Sequence, residues 1–280
     1  MIKLFKSSFS KSLLKVGFFC LMIFCVFNCK VKAQNFQLIV KIDTLAKLAS
    51  VDNFGNLFVV TPKNEVLKFN AKGQFLWNYT NNSFGNITQI DVSDPLRVIL
   101  FYAAFQQIVV LNNNLNEIST YSFNQNPNVQ ITLVASANNN GFWVYDQINR
   151  ELKKLTNAFT DDLGSGNIYQ RNGFDMQAKN MISDEQHVYI DDALEGIRMF
   201  DLYGNFIKSA LLKTSGSFDV NGDLLYYFDD QKLKSFALQT FEKQEIKLPI
   251  LGPYIDISLR FNRLVVLNEK GLTLWAVKTN

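Results

Sequence analysis

Beyond its first 33 residues the chain has no cysteine. All three of its cysteines (Cys20, Cys25, Cys29) lie before residue 34. Disulfides, thiolate nucleophiles and cysteine-ligated metals are therefore excluded from the rest. Histidine is almost as scarce, with His187 alone, so a zinc site built on imidazole pairs is excluded too. Proline is sparse at five residues. No apolar run reaches the twenty or so residues needed to cross a bilayer. There is no Gly-rich phosphate loop, G-x-S-x-G elbow or H-E-x-x-H helix.

What is present begins with an export signal. Lys3, Lys6, Lys11 and Lys15 precede a short apolar stretch over residues 16–27. Val31, Lys32 and Ala33 then fit a small-residue cleavage site. This layout predicts a secretory signal peptide over residues 1–33 and a domain over 34–280. Cys29 offers a second possibility, a lipidated cysteine tethering the domain to a membrane surface, although Phe27 and Asn28 fit a lipoprotein signal poorly. Six of the 28 basic residues and none of the 25 acidic ones lie in the signal, which leaves 22 against 25. A slightly acidic domain lacks the clustered cations that nucleic-acid phosphates demand. The membrane is expected to be met only by association or through a lipid anchor.

The remaining 247 residues read as a degenerate repeat. Its clearest copy runs V-D-N-F-G-N-L-F-V-V-T-P-K-N-E-V-L-K-F-N-A-K-G-Q-F-L-W-N-Y from Val51 to Tyr79. A turn feeds an apolar run, a short break feeds a second strand, and another turn feeds a third. The second strands start at Leu57, Val98, Phe142, Val188, Leu224 and Leu264, at intervals of 36 to 46. A period near 40 with several short strands per unit marks a β-propeller. Six units are counted, and seven would require splitting the long third one. The last unit supplies only three strands, while a strand over 36–42 is left over at the start. Adding that strand to the last blade closes the ring and removes its edges. In the third unit the fourth strand is expected near 168–170, with a long loop around it.

The first repeat resembles those of NHL and TolB-like six-bladed propellers, which favour V-D-x-x-G-N-[IL]-[YF]-V. Val51, Asp52, Gly55, Asn56, Leu57, Phe58 and Val59 carry the match. Arg198 to Asp201 with Gly204 to Phe206, and Asn268 to Gly271, keep parts of it. The resemblance supports the fold and transfers no activity, since this superfamily hosts hydrolases, lyases and plain binding modules. Lactonases of this type carry a carboxylate and amide cluster on the innermost strands. The corresponding positions here are Asp91, Ser93, Ser136, Ser183, Asp219 and Asp256, of which Asp219 and Asp256 could converge.

Three local features remain. Asp191 and Asp192 with Glu195, Asp229 and Asp230, and Glu269 follow the second strands of blades four to six. They would form an acidic crescent at the channel mouth, and Asp191, Asp192, Asp229 and Asp230 could hold Ca²⁺ through hard oxygen ligands. The equivalent loop of blade two is apolar, Tyr102-Ala103-Ala104-Phe105, and would serve as a contact surface for a partner. His187 precedes a strand, where packing outweighs catalysis. Taken together, these features predict a non-catalytic propeller of the periplasm or outer-membrane periphery, binding an envelope protein partner. The alternative is a Ca²⁺-dependent ligand-binding or hydrolytic propeller with its site at the channel mouth.

Overall fold

A computed structural model describes residues 35–278. The expected signal peptide and Cys29 lie outside the described residues. Among those described, twenty-four strands form six four-stranded antiparallel sheets. Each sheet is one blade, and its strands run A to D from the channel outwards. Blade 1 holds β2 (Leu48–Val51), β3 (Leu57–Val60), β4 (Glu65–Phe69) and β5 (Phe75–Thr80). Blade 2 holds β6 (Gln89–Asp91), β7 (Arg97–Tyr102), β8 (Gln107–Asn112) and β9 (Glu117–Ser122). Blade 3 holds β10 (Ile131–Ser136), β11 (Phe142–Asp146), β12 (Glu151–Leu155) and β13 (Asp161–Gly164). Blade 4 holds β14 (Ala178–Ser183), β15 (His187–Asp192), β16 (Gly196–Asp201) and β17 (Phe206–Ala210). Blade 5 holds β18 (Phe218–Asn221), β19 (Leu224–Asp229), β20 (Lys232–Ala237) and β21 (Lys243–Ile246). Blade 6 holds β22 (Asp256–Arg260), β23 (Arg263–Asn268), β24 (Gly271–Lys278) and, as its outer strand, β1 (Asn35–Ile42).

The ring is therefore six-bladed and closes as the repeat count requires, with Ile42 opposite Leu272 and Asn35 opposite Lys278. This closure couples the two ends of the domain without a disulfide. The core lies between blades rather than within them. One cluster joins blades 1 and 2 through Phe58, Val60, Val98 and Leu100; another joins blades 6 and 1 through Leu57, Val59, Val265 and Leu267. Four further clusters join the remaining neighbours. A B strand is thus covered on both faces, by the blade before it and the blade after it. This double burial explains why β3, β7 and β11 read as continuous apolar runs and not as alternating ones.

The turn motif of the first repeat has a structural cause. Asp52 is buried, and its Oδ1 accepts from the N–H groups of Phe54 (2.9 Å) and Asn56 (2.8 Å). Its Oδ2 accepts from the Asn56 side chain at 2.7 Å. Gly55 supplies the left-handed residue, φ 82°. Asp201 repeats the device with Tyr203 and Asn205. The D-x-x-G-N pattern closes hairpins.

One expectation is corrected. The fourth strand of blade 3 is β13 (Asp161–Gly164), and the segment around 168–170 is a short helix, α1 (Ile168–Asn172). Asn167 caps it, accepting from Gln170 N–H at 2.9 Å, and Gly173 ends it at φ 77°. An outer D strand faces solvent and needs no apolar pattern. Asp161 and Asp162 are therefore compatible with one, and Asp162 pairs with Lys154 of β12 at 3.1 Å.

Candidate functional site

The A strands β2, β6, β10, β14, β18 and β22 line a channel with a cavity of about 370 Å³. Each A strand starts on the face that carries the D–A and B–C loops and ends on the face that carries the A–B and C–D turns. Polar side chains on these strands stitch each blade to the next. Gln89 Oε1 accepts from Val134 N–H and Asp91 Oδ2 from Ser136 N–H, both at 2.8 Å. Ser183 donates to the carbonyl of Ser136. Asp256 accepts from the backbone N–H of Ser217 at 2.8 Å, and the Ser217 hydroxyl donates to its other oxygen.

Asp219 and Asp256 do converge on the channel. Arg260 was not foreseen there; its Nε lies 3.7 Å from Asp219. Burial pushes the Asp219 carboxyl up to about 7. The Arg260 guanidinium and the Leu259 N–H pull it down, and the charge of Asp256 adds to the rise. An acid of this kind at a channel wall is a proton-transfer candidate. It has no second acid–base group of matched chemistry beside it, because Asp256 is held by Ser217.

The acidic crescent resolves into separate ion pairs. Asp191 lies in the channel wall, where it accepts from Thr214 Oγ1 at 2.5 Å and pairs with Lys179 at 3.1 Å. Burial raises its carboxyl above the ordinary range, against the pull of Thr214 and Lys179. Asp192, next along the strand, faces the blade interior. It accepts from Arg198 Nε at 2.8 Å, and Glu195 completes the clamp at 2.6 Å from Nη2. The Arg198 guanidinium also stacks 3.7 Å from the Phe174 ring centre. Asp229 pairs with Lys234 at 2.7 Å, and Asp230 is an exposed left-handed turn residue at φ 51°. The four predicted calcium ligands are not brought together. Among the described residues, no group of three or more His, Cys, Asp or Glu gathers as a metal-ligand set.

The apolar loop of blade 2 divides. Tyr102 is fully buried, edge-on to Phe84 at 5.6 Å, so it is a core residue and not a contact. Ala103 to Phe105 form a 3₁₀ turn, with Ala104 and Phe105 exposed. Gly85 beneath them is left-handed, φ 73°, and a Cβ there would lie 3.3 Å from the Phe105 ring. His187 is half-buried against Tyr189, whose hydroxyl lies 3.1 Å from Asp184 Oδ2 and 3.4 Å from His187 Nδ1.

Residues that sequence reasoning passed over complete the D–A and B–C face. Leu45, Ile148, Leu194, Leu211 and Leu251 are exposed there, each from a different link or hairpin, and with Phe105 they encircle the ring. Leu251 is 96% exposed. The opposite rim exposes Phe54, Leu96, Tyr203 and Phe241 around a separate polar funnel.

No family model matches the chain, and no curated protein matches it. Solved structures do. The WD40 domain of Neurospora crassa Pan2 aligns with TM-score 0.61 and 9% identity, over 89% of this chain and 98% of that one. The β-propeller domain of Myceliophteria thermophila Cps50 (Swd1) aligns with TM-score 0.59 and 8% identity, over 87% and 100%. A catalytically inactive virginiamycin B lyase from Staphylococcus aureus, solved with quinupristin, aligns with TM-score 0.55 and 13% identity, over 87% and 88%. At these identities the likeness concerns the fold alone.

Proposed function

We propose that the protein is a non-catalytic interaction scaffold, an exported propeller acting as an accessory subunit of a cell-envelope complex. The observation that carries this reading is the ring of exposed apolar side chains on the D–A and B–C face, where Leu45, Phe105, Ile148, Leu194, Leu211 and Leu251 are spread over the blades. Apolar side chains presented by the links and hairpins of one face suit a protein partner. The state of the channel supports the same reading. Its carboxylates each have a backbone N–H donor of a neighbouring blade or a cation beside them, although Asp191 Oδ1 has no hydrogen-bond partner among the described residues.

The envelope assignment rests on the signal-like segment over residues 1–33. Among the described residues no helix is long and apolar enough to cross a membrane. In this reading the partner, or a lipid on Cys29, brings the domain to the membrane surface.

The test is affinity purification of the C-terminally tagged protein from bacterial membranes in mild detergent, read by mass spectrometry. The expected result is a stoichiometric envelope partner that is lost from the Phe105→Asp, Leu194→Asp, Leu251→Asp triple variant. A wild-type protein that emerges as a monomer with nothing attached would overturn the proposal.

A further inference from the structure

The larger cavity opens on the other face of the ring, away from the proposed partner surface. It measures about 1020 Å³. That is at the upper end of ligand sites, which run from about 300 to 1,000 Å³. The A–B turns form its wall, and it meets the channel at Ile182 and Arg260.

Most of its charges are already engaged. Lys208 donates to the Leu238 carbonyl at 2.8 Å, Arg260 faces Asp219, and Asp94 is paired with Arg97 outside the lining at 2.9 Å. Asp184 accepts from the N–H groups of Gln186 and His187 and from the Tyr189 hydroxyl. Asp223 accepts from Gln239 at 2.8 Å. Only Glu185, among the charged lining residues, has neither an ion pair nor a hydrogen bond among the described residues.

Six of the seven lining amides are in the opposite state, Gln239 being the engaged one. Asn53, Asn138, Asn139, Asn140, Gln186 and Asn221 line the funnel, and none of their side chains makes a hydrogen bond among the described residues. In other turns the asparagine side chain closes its own turn. Asn70 accepts from Lys72 and Gln74, Asn112 from Asn114 and Asn116, and Asn268 from Lys270. Asn139 and Asn140 occupy left-handed conformations, φ 56° and 58°, which asparagine tolerates. That accounts for those two and not for Asn53, Asn138, Gln186 or Asn221. Phe261, 36% exposed, lies in the same wall with the Arg260 guanidinium 4.9 Å from its ring centre.

We propose that this funnel binds an uncharged oligosaccharide. A carboxamide both donates and accepts, as a sugar hydroxyl does, so idle amides match a polyhydroxylated ligand at several points. Phe261 offers a flat apolar surface to the C–H face of a ring. Asp184, Glu185 and Asp223 would repel an anionic chain; of the lining lysine and arginine, Arg260 faces Asp219 and Lys208 donates to the Leu238 carbonyl. The same three carboxylates would attract a polycation; the idle amides favour the neutral ligand, and the pentalysine arm of the test separates the two. The cavity is large enough for more than one sugar ring.

The test is titration calorimetry of the purified protein with cellohexaose, chitohexaose and maltohexaose, and with pentalysine as a cationic probe. Saturable binding of one hexasaccharide is expected. It should weaken at least about tenfold in Asn138→Ala combined with Asn221→Ala, and again in Asn139→Gly. The glycine variant keeps the left-handed backbone and removes only the amide. All three positions are exposed, and an unchanged melting temperature would show that the fold is intact. Binding of no hexasaccharide would overturn the proposal, as would hexasaccharide binding unaffected by these changes. Pentalysine binding that is lost in Glu185→Gln would overturn it in favour of a basic peptide.

Discussion

The channel wall and the rim of the D–A and B–C face invert the usual association of residue type with role. The wall holds the carboxylates, the amide and the cations that would be expected to do chemistry. Nearly all of them are spent on holding blades together, as Asp91 holds Ser136 and Asp256 holds Ser217. The rim holds leucines, an isoleucine and a phenylalanine of no evident chemistry, and these are the side chains left uncovered. An acidic residue in a repeat protein therefore has to be judged by what its oxygens already accept. An apolar residue has to be judged by whether anything packs over it.

The contrast can be broken first where a polar group is most committed. Arg198→Met strips the buried Asp192 of its guanidinium and removes the stack on Phe174. Breaking a buried pair in this way costs about 3–5 kcal/mol, measured by urea unfolding. Adding Asp192→Leu removes the stranded charge but leaves the Gln177 and Leu194 N–H groups without their acceptor, so it should recover only part of the loss. Asp256→Ala comes next. It leaves the Ser217 N–H without its acceptor between blades 5 and 6, at about 1–3 kcal/mol.

Per pH unit, Asp219 gives a smaller effect, and one that depends on pH. Its folded value near 7 lies above the unfolded carboxyl value of about 3.9. Between those values the folded protein holds a proton that the unfolded chain has released. The group therefore favours folding at low pH, and this contribution declines as pH rises, by up to about 1.4 kcal/mol per unit, until it levels off above the folded value. Asp219→Asn should flatten that slope across pH 4–7, seen as a smaller difference in unfolding midpoint between acid and neutral buffers.

At the rim the stability effects should nearly vanish. Leu251→Asp or Phe105→Asp should shift stability by no more than about 0.5 kcal/mol, while partner capture is lost. Calcium is expected to leave the melting temperature unchanged. An increase abolished by Asp191→Asn or Asp229→Asn would restore the metal reading of the crescent.

Much of the architecture was legible because it is repeated and periodic. The B strands begin at regular intervals, and the spare strand over 36–42 has only one place to go. The misplaced strand of blade 3 shows the limit. An outer strand is covered on one side at most, so Asp161-Asp162-Leu163-Gly164 carries no apolar signal, whereas Ile168 and Tyr169 carry one and fold as a helix. The site was less legible. Tyr102 reads as a surface aromatic next to Ala103 and Ala104, yet it ends a B strand, and every other residue of that strand beyond Arg97 is also buried. Asp191 and Asp192 are neighbours in sequence, but the pleat sends one to the channel and the other into the blade. Lys179 reaches the channel from a strand irregularity between Ala178 and Asn180, which no composition pattern marks. The exposed leucines of the links were passed over because single exposed apolar residues are ordinary. Only closing the ring places them on one face.

The central claim is that the rim, and not the channel, meets the partner. The most direct measurement is the dissociation constant of the captured partner for three purified proteins: wild type, the Phe105→Asp, Leu194→Asp, Leu251→Asp rim variant, and the Asp219→Asn channel variant. The account predicts equal affinity for wild type and the channel variant, and a loss of at least about a hundredfold for the rim variant. Full affinity in the rim variant together with a loss in the channel variant would contradict it.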